Sequence, residues 1–344
     1  MVTDKPRDDE RVLRVYLDQN KWVDLARAAT GHQLGARFED ALAMARAGVA
    51  AGSVSFPLDM YRYWETSKRG NDRSRNDVVD VMRELSRQHT MALPFSVLDQ
   101  ELDLALERRF GRPQHPRQRQ VFGVGMRHIT EGRLYWPELD LSALPDGGAS
   151  VPVGLRAQLK SALAEFIEEG LLRQGPDTFD AVGFDQVASD HGQKFVDFEN
   201  LVAEEIAKHG LTGEAIDQAV RGTDFGDIRP AVVEALGRIG MTHDEFMQRI
   251  TPGELMSFMD DLPTRYVTNV MRSAKHRQTQ QQWEPNDFID ILALPVAAVY
   301  CEVVITEKQW VHRLRQGKVA QRYNTILLND VADLVDVLVR ASAS

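Results

Sequence analysis

Strand-like runs cluster near the two ends of this chain, and helical periodicity fills the space between them. The first run covers residues 12–17. It is followed by "SVSFPL" (residues 53–58) and a shorter "MALPF" from Met91, and near the other end by "EVVIT" (302–306) and "NTILLN" (324–329). Stretches of helical period, such as residues 22–47 and 331–340, separate these runs. Strand followed by helix, repeated, predicts a parallel sheet with helices on both faces. The middle lacks β-branched alternation. Segments such as "LRAQLKSALAEFIEEGLL" and "KFVDFENLVAEEIAKHG" read as helices, interrupted by loops rich in Gly, Pro and Asp. The expected organisation is one α/β domain split in sequence. Residues 11–99 and 256–344 form its two halves, and residues 100–255 form a mainly helical insertion.

Several classes are disfavoured. No stretch of about 18 apolar residues occurs, so no membrane partner is expected. The first ten residues, "MVTDKPRDDE", carry no apolar signal-peptide core. Cys301 is the only cysteine, which excludes an intramolecular disulfide and argues against a cysteine-based zinc site. A reducing, cytoplasmic setting is the expectation. The formal net charge of -10 argues against a chain that coats nucleic acid through bulk positive charge. It does not exclude a metal-dependent nuclease, which must concentrate carboxylates itself.

The carboxylates fall in informative places. In open parallel sheets, functional groups gather beyond the carboxyl ends of the strands. Asp18 ends the first run and Glu307 directly follows "VVIT". Glu65 lies in "DMYRYWETSKR", a helical stretch after the second run. Asp287 and Asp290 stand three apart in "EPNDFIDILALPVAAVY", on one face of a predicted helix that leads into the run ending at Glu307. Carboxylates so placed repel one another, and a hard divalent cation offsets that repulsion with oxygen ligands. Each acid also has a local explanation. Asp287 suits the first turn of a helix, Asp18 suits a cap for the helix that follows it, and Glu65 suits a solvated helical face.

The segments "YLDQNKW", "YRYWET", "PNDFIDILALPVAAVYCEVVITEKQW" and "NTILLND" together resemble the PIN-domain nucleases. The resemblance covers roughly residues 11–95 and 260–344. It implies a PIN-like three-layer fold and a set of metal-binding acids: Asp18, Glu65, Asp287 or Asp290, and Glu307. The distance from Asp290 to Glu307 fits the family's spacing better than that from Asp287, and both stay candidates. Asn20 and Thr306 match supporting polar positions of the family. Glu307 departs from the usual aspartate, which leaves Glu302, at the entrance to the same strand, as a substitute or outer-shell ligand. The implied activity is divalent-metal-dependent endoribonuclease cleavage with Mg²⁺ or Mn²⁺. RNA is the implied substrate, and a protein regulator is left open.

A nuclease must also hold a polyanion. Residues 108–133 carry seven arginines, among them Arg117, Arg119 and Arg127, against one acid, Glu131. "RYVTNVMRSAKHRQ" holds Arg272, Lys275 and Arg277 with no acid, and "TSKRGNDRSR" follows Glu65. These stretches are expected to contact phosphates. Their alternative is ion pairing within an acidic chain. No Gly-rich phosphate loop and no H-E-x-x-H zinc motif appears.

Two other classes compete with the nuclease reading. A haloacid-dehalogenase-like phosphatase also places an aspartate after its first strand, but needs a second acid where Asn20 stands. A catalytically weak PIN-fold module would bind RNA or protein without cleaving.

Overall fold

The computed structural model describes residues 12–111, 120–133, 138–142, 144, 146–176, 184–278 and 280–342. The main sheet has four parallel strands. β1 (Leu13–Leu17) is flanked by β2 (Val54–Ser55) on one side and, on the other, by β5 (Val303–Ile305) and then β6 (Ile326–Leu328). Leu17 pairs with Ile305, and Ile305 with Leu328, so β1, β5 and β6 end level at one edge. The chain is mostly helical around this small sheet, an α/β arrangement.

Strand periodicity explains the layering. Alternate residues of a strand point to opposite faces, and helices cover both faces of a parallel sheet. Val15, Leu17, Val303 and Ile305 pack on one face with Trp22, Leu25, Phe56, Val79 and Leu338. Tyr16, Val304 and Leu327 face the other side, among Met271, Leu294 and Trp310.

Two expectations about the strands change. The run at Met91 forms β3 (His89–Met91), which lies outside the main sheet and pairs antiparallel with β4 (Phe122–Val124). β4 falls in the segment read as helical. It is only three residues long and contains a glycine, too short to show a period of two.

The expected segment boundaries also fall inside helices. Pro94–Phe110 runs through the first boundary and Pro252–Asp260 through the second. Both helices contribute to a third apolar cluster, where Leu102 and Leu106 meet Val232, Phe246 and Phe258. The helical middle is therefore built onto the rest through shared cores. Phe195 packs edge-on against Trp283 at 5.4 Å between ring centres, and the Tyr63 hydroxyl donates to Glu168 at 3.2 Å. Among the described residues, no helix is long and apolar enough to cross a membrane.

Candidate active site

From β1 the chain moves one way across the sheet, to β2. From β5 it moves the other way, to β6. The carboxyl ends of β1 and β5 thus border a switch point, the place where open α/β sheets commonly form ligand crevices. Asp18 and Thr306 are the first residues past these two strand ends. The Asp18 amide donates to the Ile305 carbonyl at 3.0 Å, and the Thr306 hydroxyl donates to Asp18 Oδ2 at 3.1 Å. Asp18 also caps the helix Gln19–Ala29, its Oδ1 accepting from the Gln19 amide at 2.7 Å. Local structure therefore uses one oxygen of Asp18 as a cap and orients the other through Thr306.

The helix Met60–Ser67 supplies the centre of the cluster. Asp59 caps it, Arg62 follows one turn later and Glu65 one turn after that, so the three share one helical face. The Arg62 guanidinium is 1% exposed and lies 2.6 Å from Asp18 Oδ1, 2.6 Å from Glu65 Oε2 and 3.6 Å from Asp59 Oδ1. Tyr16 donates its hydroxyl to Asp59 at 2.7 Å, and Gln19 donates to the Thr66 hydroxyl at 3.0 Å. These bonds fix the helix against the strand end.

Asp290 enters from the helix Pro285–Tyr300, and Trp310 Nε1 donates to its Oδ2 at 2.6 Å. Burial pushes the Asp290 carboxyl well above its ordinary range. The Asp18 and Glu65 charges add to that rise, while the Trp310 bond and Arg62 oppose it. Glu65, 25% exposed at its side chain, is pushed up to about 7 by burial foremost, with Asp18 and Asp59 adding and Arg62 opposing. Both shifts share a first cause, burial, and the like charge of neighbouring carboxylates adds to it, since the single guanidinium of Arg62 only partly offsets the crowding.

The structure brings Asp18, Glu65, Asp290 and Thr306 together and sends the other candidates elsewhere. Asp287 sits at the third position of its helix in a capping box with Glu284, its carboxylate accepting from the Glu284 amide at 2.6 Å. Lys275 pairs with the same oxygen at 2.5 Å. The capping box and Lys275 draw the Asp287 carboxylate back toward the start of the helix, away from Asp290, which is held by Trp310. Glu307 is exposed at the N-cap of Lys308–Gln316, where it accepts from Gln309 at 2.9 Å. Glu302 lies at the opposite end of β5 and accepts from the Arg14 amide at 2.8 Å, which removes it as a substitute for Glu307. Asn20 is exposed on the first turn of its helix.

The basic stretches divide similarly. Arg272 is buried against Glu199 at 2.6 Å, Lys275 is buried on Asp287, and Arg277 pairs with Asp217. Arg272 and Lys275 are thus internal ion partners and not a phosphate-binding surface. Arg127 is exposed on the short helix Gly125–Ile129, and Arg117 and Arg119 lie outside the described residues. Three other lysines follow the site segments directly. Lys21 lies three residues after Asp18, Lys68 three after Glu65, and Lys308 two after Thr306; Lys68 and Lys308 are exposed.

Sequence reasoning missed Asp59 and Arg62. The signal was present in the spacing D-x-x-R-x-x-E at 59–65, which aligns an acid, a cation and a second acid along one helix face.

The donor set suits a hard cation, because the clustered side-chain atoms are carboxylate oxygens, from Asp18, Asp59, Glu65 and Asp290. The geometry is not that of a preformed cage. Among the described residues, no three His, Cys, Asp or Glu groups gather to hold an ion, and Arg62 lies between Asp18 and Glu65. No family model, curated protein or solved structure matches this chain.

Proposed function

We propose that this chain is a PIN-like, divalent-metal-dependent endoribonuclease whose active site comprises Asp18, Glu65 and Asp290. The observation that supports the reading is the charge imbalance at the sheet's switch point. Asp18, Asp59, Glu65 and Asp290 converge there from three remote segments around one buried cation, Arg62. Mg²⁺ or Mn²⁺ held by Asp18, Glu65 and Asp290 would neutralise a scissile phosphate and lower the pKa of a bound water. The protein's own groups do the rest. Thr306 and the Gln19 amide orient the Asp18 carboxylate, Trp310 orients that of Asp290, and Arg62 holds the Asp18 and Glu65 charges in place. Lys21, Lys68 and Lys308, which follow the site segments in sequence, would contact the phosphate backbone under this reading.

A second reading is favoured by Arg62 itself. A guanidinium between Asp18 and Glu65 serves as a built-in counter-ion, which suits a metal-independent module that binds RNA. The test incubates the full chain with generic single-stranded RNA and Mn²⁺, with and without chelator. Internal cleavage that disappears with chelator supports the nuclease. RNA binding without cleavage supports the module, and hydrolysis of a phosphomonoester instead of RNA supports a phosphatase.

A further inference from the structure

On the helical side of the molecule, a cavity of about 340 Å³ opens between the helices Glu214–Arg238, Pro263–His276 and Lys308–Gln316. Its volume lies within the range of small-molecule sites, roughly 300 to 1,000 Å³. Its wall is fixed in part by Gly317, where a Cβ would collide with Val270, and by the Tyr266 hydroxyl, which donates to the Gly317 carbonyl at 3.1 Å.

The charge around this cavity is opposite to that of the chain as a whole. Arg221, Arg277 and Arg313 line it against one acid, Asp217. Arg221 is bound to Asp260 at 2.8 Å and Arg277 to Asp217. Arg313 is different. Its side chain is 1% exposed, and its hydrogen bonds among the described residues go to the neutral amides of Gln278, Gln281 and Gln309. No carboxylate pairs with it within 4 Å among the described residues, unlike buried Arg62 and Arg272 and half-buried Arg265; its nearest compensation is the Trp310 ring, 4.5 Å from the guanidinium. Burial lowers the Arg313 pKa, and Asp287 and Asp290 oppose this only from a distance. A buried guanidinium without a contacting anion is costly unless one is supplied.

Two further polar groups at the cavity lack partners. Asn269 and Ser273 are 2% and 3% exposed, and Asn269 Oδ1 and Ser273 Oγ have no hydrogen-bond partner among the described residues. The remaining polar lining is amide, from Gln278 and Gln316. Asn and Gln amides match the donor and acceptor pattern of a purine edge, and arginine matches a phosphate.

We infer that this cavity binds a nucleoside monophosphate, with Arg313 and Arg277 on the phosphate and the amides on the base. The cavity shares no lining residue with the carboxylate cluster, to which it connects through Trp310, whose ring lies 4.5 Å from the Arg313 guanidinium and whose Nε1 donates to Asp290; the inference does not depend on the nuclease reading. It is built from elements that meet only in the folded chain.

The test is calorimetric titration of the full chain, without added metal, using 5′-AMP, inorganic phosphate and adenosine as probes. Saturable 5′-AMP binding is expected, with phosphate competing and adenosine much weaker. Arg313→Gln should weaken 5′-AMP binding by at least about tenfold, a typical effect of removing a charge-assisted bond. Because Arg313 is buried and its replacement could disturb folding, Arg277→Ala at the partly exposed rim provides a second variant, expected to weaken binding several-fold with an unchanged melting temperature. No saturable binding of 5′-AMP in the millimolar range overturns the inference. So does adenosine binding as tightly as 5′-AMP, or unaltered affinity in a folded Arg277→Ala protein.

Discussion

Arg62 Nη1 donates to Asp18 Oδ1 at 2.6 Å, joining the helix after β2 to the end of β1 through two buried side chains. This pair organises the candidate site. It places a cation beside a carboxylate that would otherwise be costly at a strand end, and leaves Glu65 and Asp290 with only partial compensation.

Replacing Arg62 by Gln should therefore leave buried carboxylates unpaired. A loss of about 3–5 kcal/mol of stability is expected, the usual range for breaking a buried pair. Under the metal reading, Mn²⁺ should recover part of that loss and shift the melting temperature of the variant more than that of the wild type. Thermal unfolding of both proteins with and without Mn²⁺ measures this. Equal, negligible shifts in the two proteins would speak against a metal site.

Asp287 and Asp290 should respond in opposite ways. Asp287→Asn weakens a capping box and leaves Lys275 buried without its partner, so stability should fall by more than the ~1 kcal/mol of a cap alone. Its Mn²⁺ response should stay that of the wild type. Asp290→Asn replaces a carboxyl that already resists ionisation, so stability without metal should hold or rise while the Mn²⁺ shift shrinks. The same melting experiment reads both, and a full Mn²⁺ shift in Asp290→Asn would remove Asp290 from the ligand set.

Asp18→Asn keeps a capping oxygen for the Gln19 amide but removes the charge. RNA cleavage should drop by orders of magnitude in a protein that still folds cooperatively. A gel-based cleavage time course beside a thermal melt checks this, and cleavage at the wild-type rate would place the chemistry elsewhere.

Single-strand binding should depend on Lys21 and Lys68. For each of the two that neutralises a phosphate, substitution by Ala should flatten the slope of log affinity against log salt by roughly 0.7. Affinity measured across a salt series decides it, since an unchanged slope means that neither lysine touches the backbone.

Stability should also vary with pH through Glu101, far from the sheet edge. Its buried carboxyl accepts from the Thr264 amide and hydroxyl and the Tyr300 hydroxyl, and burial pushes it up to about 7 from an ordinary 4.5. A raised acid favours the folded state while protonated. Its contribution is full below pH 4.5 and is lost as pH rises toward 7, by on the order of 3 kcal/mol. Glu101→Gln, a neutral mimic, should flatten the fall in stability over that window in urea titrations. A variant that keeps the wild-type pH slope would assign the dependence to other groups.

Periodicity along the chain carried much of the architecture. The apolar run through "LRVYL", buried on both faces, marks a central parallel strand, and the abrupt change at Asp18 marks its carboxyl end. The parallel sheet and the positions of Asp18, Glu65 and Asp290 just past strands or on flanking helices follow from such local patterns. β3 and β4 escaped because a three-residue strand gains its identity from its partner across the ladder, not from its own sequence. The ion pairs escaped for a related reason. "RYVTNVMRSAKHRQ" has no acid nearby in sequence, yet Arg272 finds Glu199 and Lys275 finds Asp287 after the helices pack. Arg62, unremarked in the sequence, ends among four acids, while Arg313 ends among amides. Helical and strand periods depend on neighbours a few residues away, so sequence alone determined which faces are apolar and where elements stop. Which charge meets which depends on contacts made across hundreds of residues, and only the packed tertiary structure decided that.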